Sequence, residues 1–243
     1  MDNIEAAKLL ISSLDLTSLN NNDTNESISD LCQKAVGKYG SVASVCIYPQ
    51  FIPHAKSILP QGFKVATVIN FPKGLANNTI LEKEVMTAIN FGADELDVVF
   101  PYRIFLEGDI DFCKEYLSIA RESCENKILK IIIESGELKN ILAIKQATQL
   151  CIDADVDFVK TSTGKTDISA TPEAANAILE TIAQSGKNVG FKASGGIKNL
   201  YDAKTYLTLA QSIMGNDWPD QSHFRIGASS LLNDLIKTIE QGY

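Results

Sequence analysis

The chain has 243 residues, 45 % of them hydrophobic and 21 % charged, enough for one sizeable core and ordinary for a globular enzyme. Its net charge of −8 argues against nonspecific binding to nucleic acid or to an anionic membrane surface, so an anionic ligand would need locally positive groups. No window approaches the roughly 18 apolar residues of a membrane span, and the start MDNIEAAKLL lacks the features of a signal peptide. Five scattered cysteines without a CxxC suggest reduced thiols in a cytoplasmic protein.

Short β-branched runs alternate with stretches of helical spacing. In chain order, strands are predicted at 14–17, 42–48, 64–70, 95–100, 128–134, 156–161, 188–193 and 224–228. Helical patterns fall at about 24–37, 78–91, 111–124, 137–150, 172–185, 200–213 and 230–240. A short N-terminal helix, the first strand and its loop occupy 1–23. Asp23-x-x-Glu26 resembles a capping box, and Thr171-Pro172-Glu173 places proline at a first helical position. Eight strands alternating with helices over about 250 residues predict a (β/α)8 TIM barrel, a single domain covering 1–243. An open doubly wound sheet is the alternative, but no glycine-rich turn follows the first strand. In a barrel, functional groups belong at strand carboxyl ends and in the loops beyond them.

Two lysines stand out at such ends. Lys160 closes Asp157-Phe158-Val159, and Lys192 closes Val189-Gly190-Phe191. Lysine is seldom fully buried, because an unpaired ammonium in a low-dielectric interior is costly. On adjacent strands about 4.8 Å apart, two ammoniums would lie roughly 6–7 Å from each other. Their repulsion at an effective dielectric near 20 is about 2.5 kcal/mol, close to two pKa units. Partial desolvation acts in the same direction, so one amine could be neutral near pH 7, as a Schiff-base nucleophile requires. The alternative is that each lysine pairs with a carboxylate such as Glu134 or Asp97. Asp97, in an otherwise apolar strand, needs a cationic partner and serves either as proton shuttle or as counterion. Asp15 lies in the weak first strand or in a turn.

Three loops point to a phosphate. Thr161-Ser162-Thr163-Gly164-Lys165-Thr166 contains the GKT of a Walker A loop, but Val159 stands where that motif needs glycine. What remains is a polar loop with backbone N–H groups and a lysine. Ser194-Gly195-Gly196-Ile197-Lys198 follows the seventh strand, and Gly227-Ala228-Ser229-Ser230 follows the eighth and opens a helix. Those two loops frequently form the phosphate site of this barrel, although turn glycines and a serine N-cap would look alike. The two histidines, His54 and His223, have no ligand-spaced companions, so no metal is expected. His54 is expected at the surface and Cys46 packed in its strand. Arg225 is either a phosphate aid or a strand-end ion pair.

These residues, together with Asp15-Leu16-Thr17, Val45-Cys46-Ile47-Tyr48-Pro49, Gly92–Val99, Ile133–Leu138, Phe158–Gly164, Phe191–Gly196 and Arg225–Ser230, give the chain a pattern that resembles the 2-deoxyribose-5-phosphate aldolases. The matching stretches run in family order from about residue 15 to 232. The resemblance implies reversible cleavage of 2-deoxy-D-ribose 5-phosphate to D-glyceraldehyde 3-phosphate and acetaldehyde, in deoxyribonucleoside catabolism and without a cofactor. It casts Lys160 as the Schiff-base lysine, Lys192 and Asp97 as the proton relay, and Asp15 as an orienting group. Thr163, Gly164, Lys165, Gly195, Gly196, Lys198, Gly227, Ser229 and Ser230 would hold the phosphate. Lys198 stands where the family often has arginine, which keeps the charge and loses bidentate geometry. The family's flexible tail ends in a tyrosine that reaches the site, but the twelve residues between Ser230 and Tyr243 look mostly helical and argue against that reach. A homodimer is carried as an expectation, since the sequence itself gives no oligomeric state. The open alternatives are another Schiff-base barrel, such as a transaldolase or a 2-keto-3-deoxy-sugar-phosphate aldolase, and a non-catalytic barrel that binds a phosphorylated ligand.

Overall fold

A computed structural model describes residues 1–242. Tyr243, whose reach to the site the sequence argues against, lies outside the described residues. Eight parallel strands close into a barrel: β1 (Leu14–Thr17), β2 (Ser44–Ile47), β3 (Val65–Ile69), β4 (Glu95–Val99), β5 (Ile128–Ile132), β6 (Phe158–Lys160), β7 (Gly190–Ser194) and β8 (Phe224–Ala228). Each strand pairs with its sequence neighbours, and β1 joins β8 to seal the ring. Outward-facing residues such as Val45, Leu96, Val98, Ile131 and Val159 are buried beneath the surrounding helices, as parallel sheets require. The fold is the (β/α)8 barrel predicted from the sequence.

The helices follow their local chemistry. Asp2 and Glu5 form a capping box at α1 (Asn3–Ser12), which packs against α10 (Leu200–Met214) and α11 (Leu231–Gln241). Thr171 caps α9 (Pro172–Ser185) by accepting from Ala174 N–H, with Pro172 at the first helical position. Helix α2 (Asn25–Ala35) starts one residue later than expected. Its reciprocal cap joins Thr24 and Ser27, while Asp23 is occupied by Ser18 and Asn20. The predicted end of that helix at 36–37 is instead half of a small hairpin with 40–41.

Three further helical segments depart from the periodicity. Helix α3 (Ile52–Ile58) was not foreseen, because Pro49, Pro53 and Pro60 interrupt any longer pattern. Between α4 (Asn78–Asn90) and α6 (Ile110–Cys124), helix α5 (Tyr102–Glu107) is a short insertion ended by left-handed Gly108. The single helix expected at 137–150 is two, α7 (Ser135–Leu138) and α8 (Ile141–Asp153). Lys139 turns left-handed between them (φ 61°), and Asn140 caps the second.

Candidate active site

Strand alternation sends seven charged side chains into the barrel. Cations come from four successive strands: Lys130 on β5, Lys160 on β6, Lys192 on β7 and Arg225 on β8. The carboxylates Asp15, Glu95 and Asp97 come from β1 and β4. Register explains the meeting, since Asp97 pairs with Lys130, Lys160 with Lys192, and Lys192 with Arg225.

Asp97 is the hub. Its Oδ2 accepts from Lys160 Nζ at 2.8 Å and from Lys192 Nζ at 2.7 Å, and its Oδ1 accepts from Lys130 Nζ at 2.9 Å. Lys192 also donates to Asp15 Oδ2 at 2.5 Å. Asp15 Oδ1 accepts from Ser44 Oγ at 2.8 Å and from Arg225 at 2.5 Å. Deeper in the barrel, Glu95 receives Lys130 at 2.5 Å and Arg225 at 3.1 Å. The two lysines singled out from sequence therefore share one carboxylate oxygen and stand closer than the 6–7 Å expected. Asp15, ambiguous in sequence, is a buried strand residue. Arg225 is an interior ion pair and does not reach the mouth.

The three lysines are not equivalent. Lys130 and Lys192 are fully buried, whereas Lys160 is 4 % exposed and borders the cavity above the network. Burial is the main influence on the Lys160 amine and pulls its pKa below the ordinary lysine value; Asp97 opposes that pull and Lys192 adds to it. Burial also works against Lys192, but Asp15 and Asp97 outweigh it and leave its pKa raised. Lys130 is raised likewise, by Asp97, Glu95 and Asp15 acting against burial. Burial favours a protonated Asp97, yet Lys130, Lys160 and Lys192 more than reverse this and hold its carboxyl well below 3.8. The two amines crowd one carboxylate oxygen, and desolvation rather than their mutual repulsion is the larger cause of the lowered Lys160 pKa.

The cavity has a volume of about 240 Å³ and sits at the carboxyl ends of β6, β7 and β8. All nine residues singled out border it: Thr163, Gly164 and Lys165 after β6, Gly195, Gly196 and Lys198 after β7, Gly227 near the end of β8, and Ser229 and Ser230 just after it. Ser230 makes no side-chain cap to α11, so the turn-and-cap alternative does not account for it. Gly195 is left-handed (φ 87°), and a Cβ there would lie 2.5 Å from Ser169. Lys165 Nζ donates to Leu19 O at 2.7 Å and ties this rim to the β1 loop. Glu134, the other carboxylate suggested as a lysine partner, instead organises the β6 loop. It accepts from Thr163 Oγ1 at 2.6 Å and Thr163 N–H at 3.2 Å, and burial pushes its pKa up. Thr163 is thereby committed to the loop.

Sequence reasoning passed over Lys130 and Glu95. The signal was present: Lys130 interrupts Ile128-Leu129-x-Ile131-Ile132-Ile133, and Glu95 lies two residues before Asp97 on the same strand face. Cys46 is buried beside this network with burial holding its thiol pKa up, and His54 bonds Asn25 O and Ser29 at the surface. Among the described residues, no cluster of His, Cys, Asp or Glu is placed to hold a metal ion. A larger groove of about 610 Å³ beside Tyr201, between α1 and α10, holds none of the buried charges.

A sequence profile of the DeoC/LacD family aldolases matches residues 9–237, nearly the whole barrel. The chain belongs to the DeoC/LacD aldolase family. This aldolase, a carbon–carbon lyase, is similar to the solved structure of QR15, an aldolase, at 29 % identity and TM-score 0.81, over 94 % of this chain and 96 % of that one. A Toxoplasma gondii ME49 protein provisionally assigned as a deoxyribose-phosphate aldolase superposes with TM-score 0.89 at 22 % identity, over 98 % and 95 % of the two chains. The deoxyribose phosphate aldolase of Aeropyrum pernix, described as tetrameric, does so with TM-score 0.77 at 23 % identity, over 100 % and 98 %. The latter two share this aldolase's fold.

Proposed function

We propose that the protein is a class I deoxyribose-phosphate aldolase in which Lys160 forms the Schiff base. The observation that carries this reading is the asymmetry of the buried lysines: the one that borders the cavity is the one whose ammonium is disfavoured. An amine that gives up its proton more readily than an ordinary lysine and borders the cavity is the nucleophile such chemistry needs.

In the forward cleavage, the neutral Lys160 amine adds to the aldehyde carbon of open-chain 2-deoxyribose 5-phosphate, and a proton from Lys192 lets water leave to give a protonated imine. The C3 hydroxyl then returns a proton to Lys192 through a water aligned by Asp97. The C2–C3 electron pair moves into the imine, and glyceraldehyde 3-phosphate leaves. Lys192 then protonates the enamine at C2, and hydrolysis frees acetaldehyde and the amine and returns a proton to Lys192. Lys192 suits the proton-carrying role because it touches the same Asp97 oxygen as Lys160. Asp97 is too strongly held as a carboxylate to keep a proton, so its part is to align the two amines. Asp15 steadies Lys192 from the far side. The phosphate would lie against the glycine-rich loops after β7 and β8 and the open N-terminus of α11.

Reduction with borohydride in the presence of acetaldehyde tests the reading. A two-carbon adduct on Lys160 is expected; an adduct on another lysine, or none, removes the assignment. A panel of sugar phosphates separates the deoxyribose-phosphate activity from transaldolase or keto-deoxy-sugar chemistry. A non-catalytic barrel would bind sugar phosphate without turning it over. The five cysteines are unpaired and buried, which fits a reducing compartment such as the cytoplasm. No described helix is long and apolar enough to cross a membrane. The homodimer expectation is tested by light scattering, where a monomer removes it and a tetramer replaces it with the state described for the Aeropyrum pernix protein.

A further inference from the structure

We propose that Lys130, Glu95 and Arg225, none of which lines the cavity, are positioning residues that set the charge state of Lys160 through charge balance in the barrel. The inference rests on the Schiff-base reading above and adds a tuning layer beneath the reacting amine. Three carboxylates, Asp15, Glu95 and Asp97, are fully buried in the inner cluster. Lys130, Lys192 and Arg225 supply three positive charges against them, each within hydrogen-bond reach of two carboxylates. Those six groups already sum to zero. A proton on Lys160 would leave one unbalanced positive charge in a site with almost no access to water, where such a charge is costly.

The connection is direct. Lys130 holds one oxygen of Asp97 while Lys160 holds the other, so the attraction Asp97 can offer Lys160 is already divided. Glu95 in turn keeps Lys130 and Arg225 charged from below. The other titratable groups facing Lys160 are Lys192 from β7, the Cys46 thiol from β2 and Glu134 from the end of β5. These three are unchanged in the variants below, so they cancel in the comparison.

Charge balance makes signed predictions. Lys130→Met removes a positive charge, so a proton on Lys160 restores neutrality and the amine becomes harder to free. Glu95→Gln removes a negative charge and keeps the side-chain shape, so Lys160 loses its proton more easily. The double variant Lys130→Met/Glu95→Gln is balanced again with Lys160 neutral. A residue that only filled space would not give opposite shifts that cancel.

The experiment measures the rate of reductive trapping of acetaldehyde on Lys160 as a function of pH, read by mass spectrometry of the full-length protein. The expected midpoint rises by about 1–2 pH units in Lys130→Met and falls by a similar amount in Glu95→Gln, for charges about 6–8 Å away at an effective dielectric near 20. In the double variant it returns close to the wild-type value. Lys130→Arg, which keeps the charge, should leave the midpoint in place. Should Lys130→Met fail to fold, Glu95→Gln and the double variant carry the test. Unmoved midpoints, or shifts of the same sign in both single variants, overturn the charge-balance proposal while leaving the adduct on Lys160 intact. Absence of a Lys160 adduct in the wild type at every pH overturns the Schiff-base reading instead.

Discussion

Lys160 embodies a conflict between stability and activity. Its native pKa lies below its unfolded value of about 10.5, so between those two values the unfolded chain binds the extra proton. The side chain therefore costs stability at pH 7, and the cost shrinks as pH rises toward the unfolded value. Replacing it with an isosteric apolar side chain should remove both the cost and the chemistry. Lys160→Met is expected to lose turnover and acetaldehyde trapping while gaining about 1 kcal/mol, or about 2–4 °C in melting temperature at this chain length. Calorimetry at pH 7 checks this, and a lower melting temperature would contradict it. Lys192 is the converse case, since Asp15 and Asp97 stabilise its charge. Lys192→Leu should lower turnover by about 10²–10⁴-fold through loss of the proton carrier. Removing one member of this buried pair should also cost about 3–5 kcal/mol, visible in denaturant unfolding.

The loops after β6, β7 and β8 act as elements, each presenting backbone and small side chains to one cavity. Gly195 shows how tightly they fit, because it combines a left-handed backbone with a 2.5 Å approach to Ser169. Gly195→Ala should raise KM for a phosphorylated substrate several-fold and leave cleavage of unphosphorylated deoxyribose nearly unchanged. Steady-state kinetics on the two substrates separates the outcomes; equal losses on both would place Gly195 elsewhere in function. These loops were legible because their glycines, serines and lysines follow apolar runs at strand ends. The helices were less so. The break between α7 and α8 comes from a non-glycine residue, Lys139, in a left-handed turn, and no composition cue marks it. Helix α3 is short and bracketed by prolines, so it offers little periodicity to detect. The α2 start was misplaced by one residue because Asp23 and Thr24 are both competent caps, and a loop bond from Ser18 Oγ to Asp23 decides between them.

At the scale of the molecule, barrel closure turns a scattered set of residues into a neutralised ionic core. The fold was legible because alternation of strand and helix is local, whereas the pairing of Asp15 with Lys192 and Arg225 spans 177 and 210 residues and exists only once β1 meets β8. Lys130 and Glu95 escaped notice for the same reason: each has its meaning only inside the closed ring. That core also predicts the acid behaviour of the whole protein. Asp15 and Asp97 have native pKa values depressed below 3.8, burial opposing their charge and the surrounding cations outweighing it. Their contribution is complete above about pH 5 and is lost as pH falls through the unfolded value toward the native ones. Melting temperature should drop steeply below about pH 4, and Asp15→Asn should flatten that slope; parallel slopes would contradict the assignment.

The neutrality of one amine among four cations is the point on which the mechanism turns. Nitrogen-resolved NMR of the lysine side chains, with Lys160→Met to assign the signal, measures it directly. The account predicts that Lys160 titrates clearly below the range of an ordinary lysine while Lys192 stays protonated throughout. A Lys160 ammonium that persists to ordinary lysine pH, or a Lys192 that loses its proton first, would contradict it.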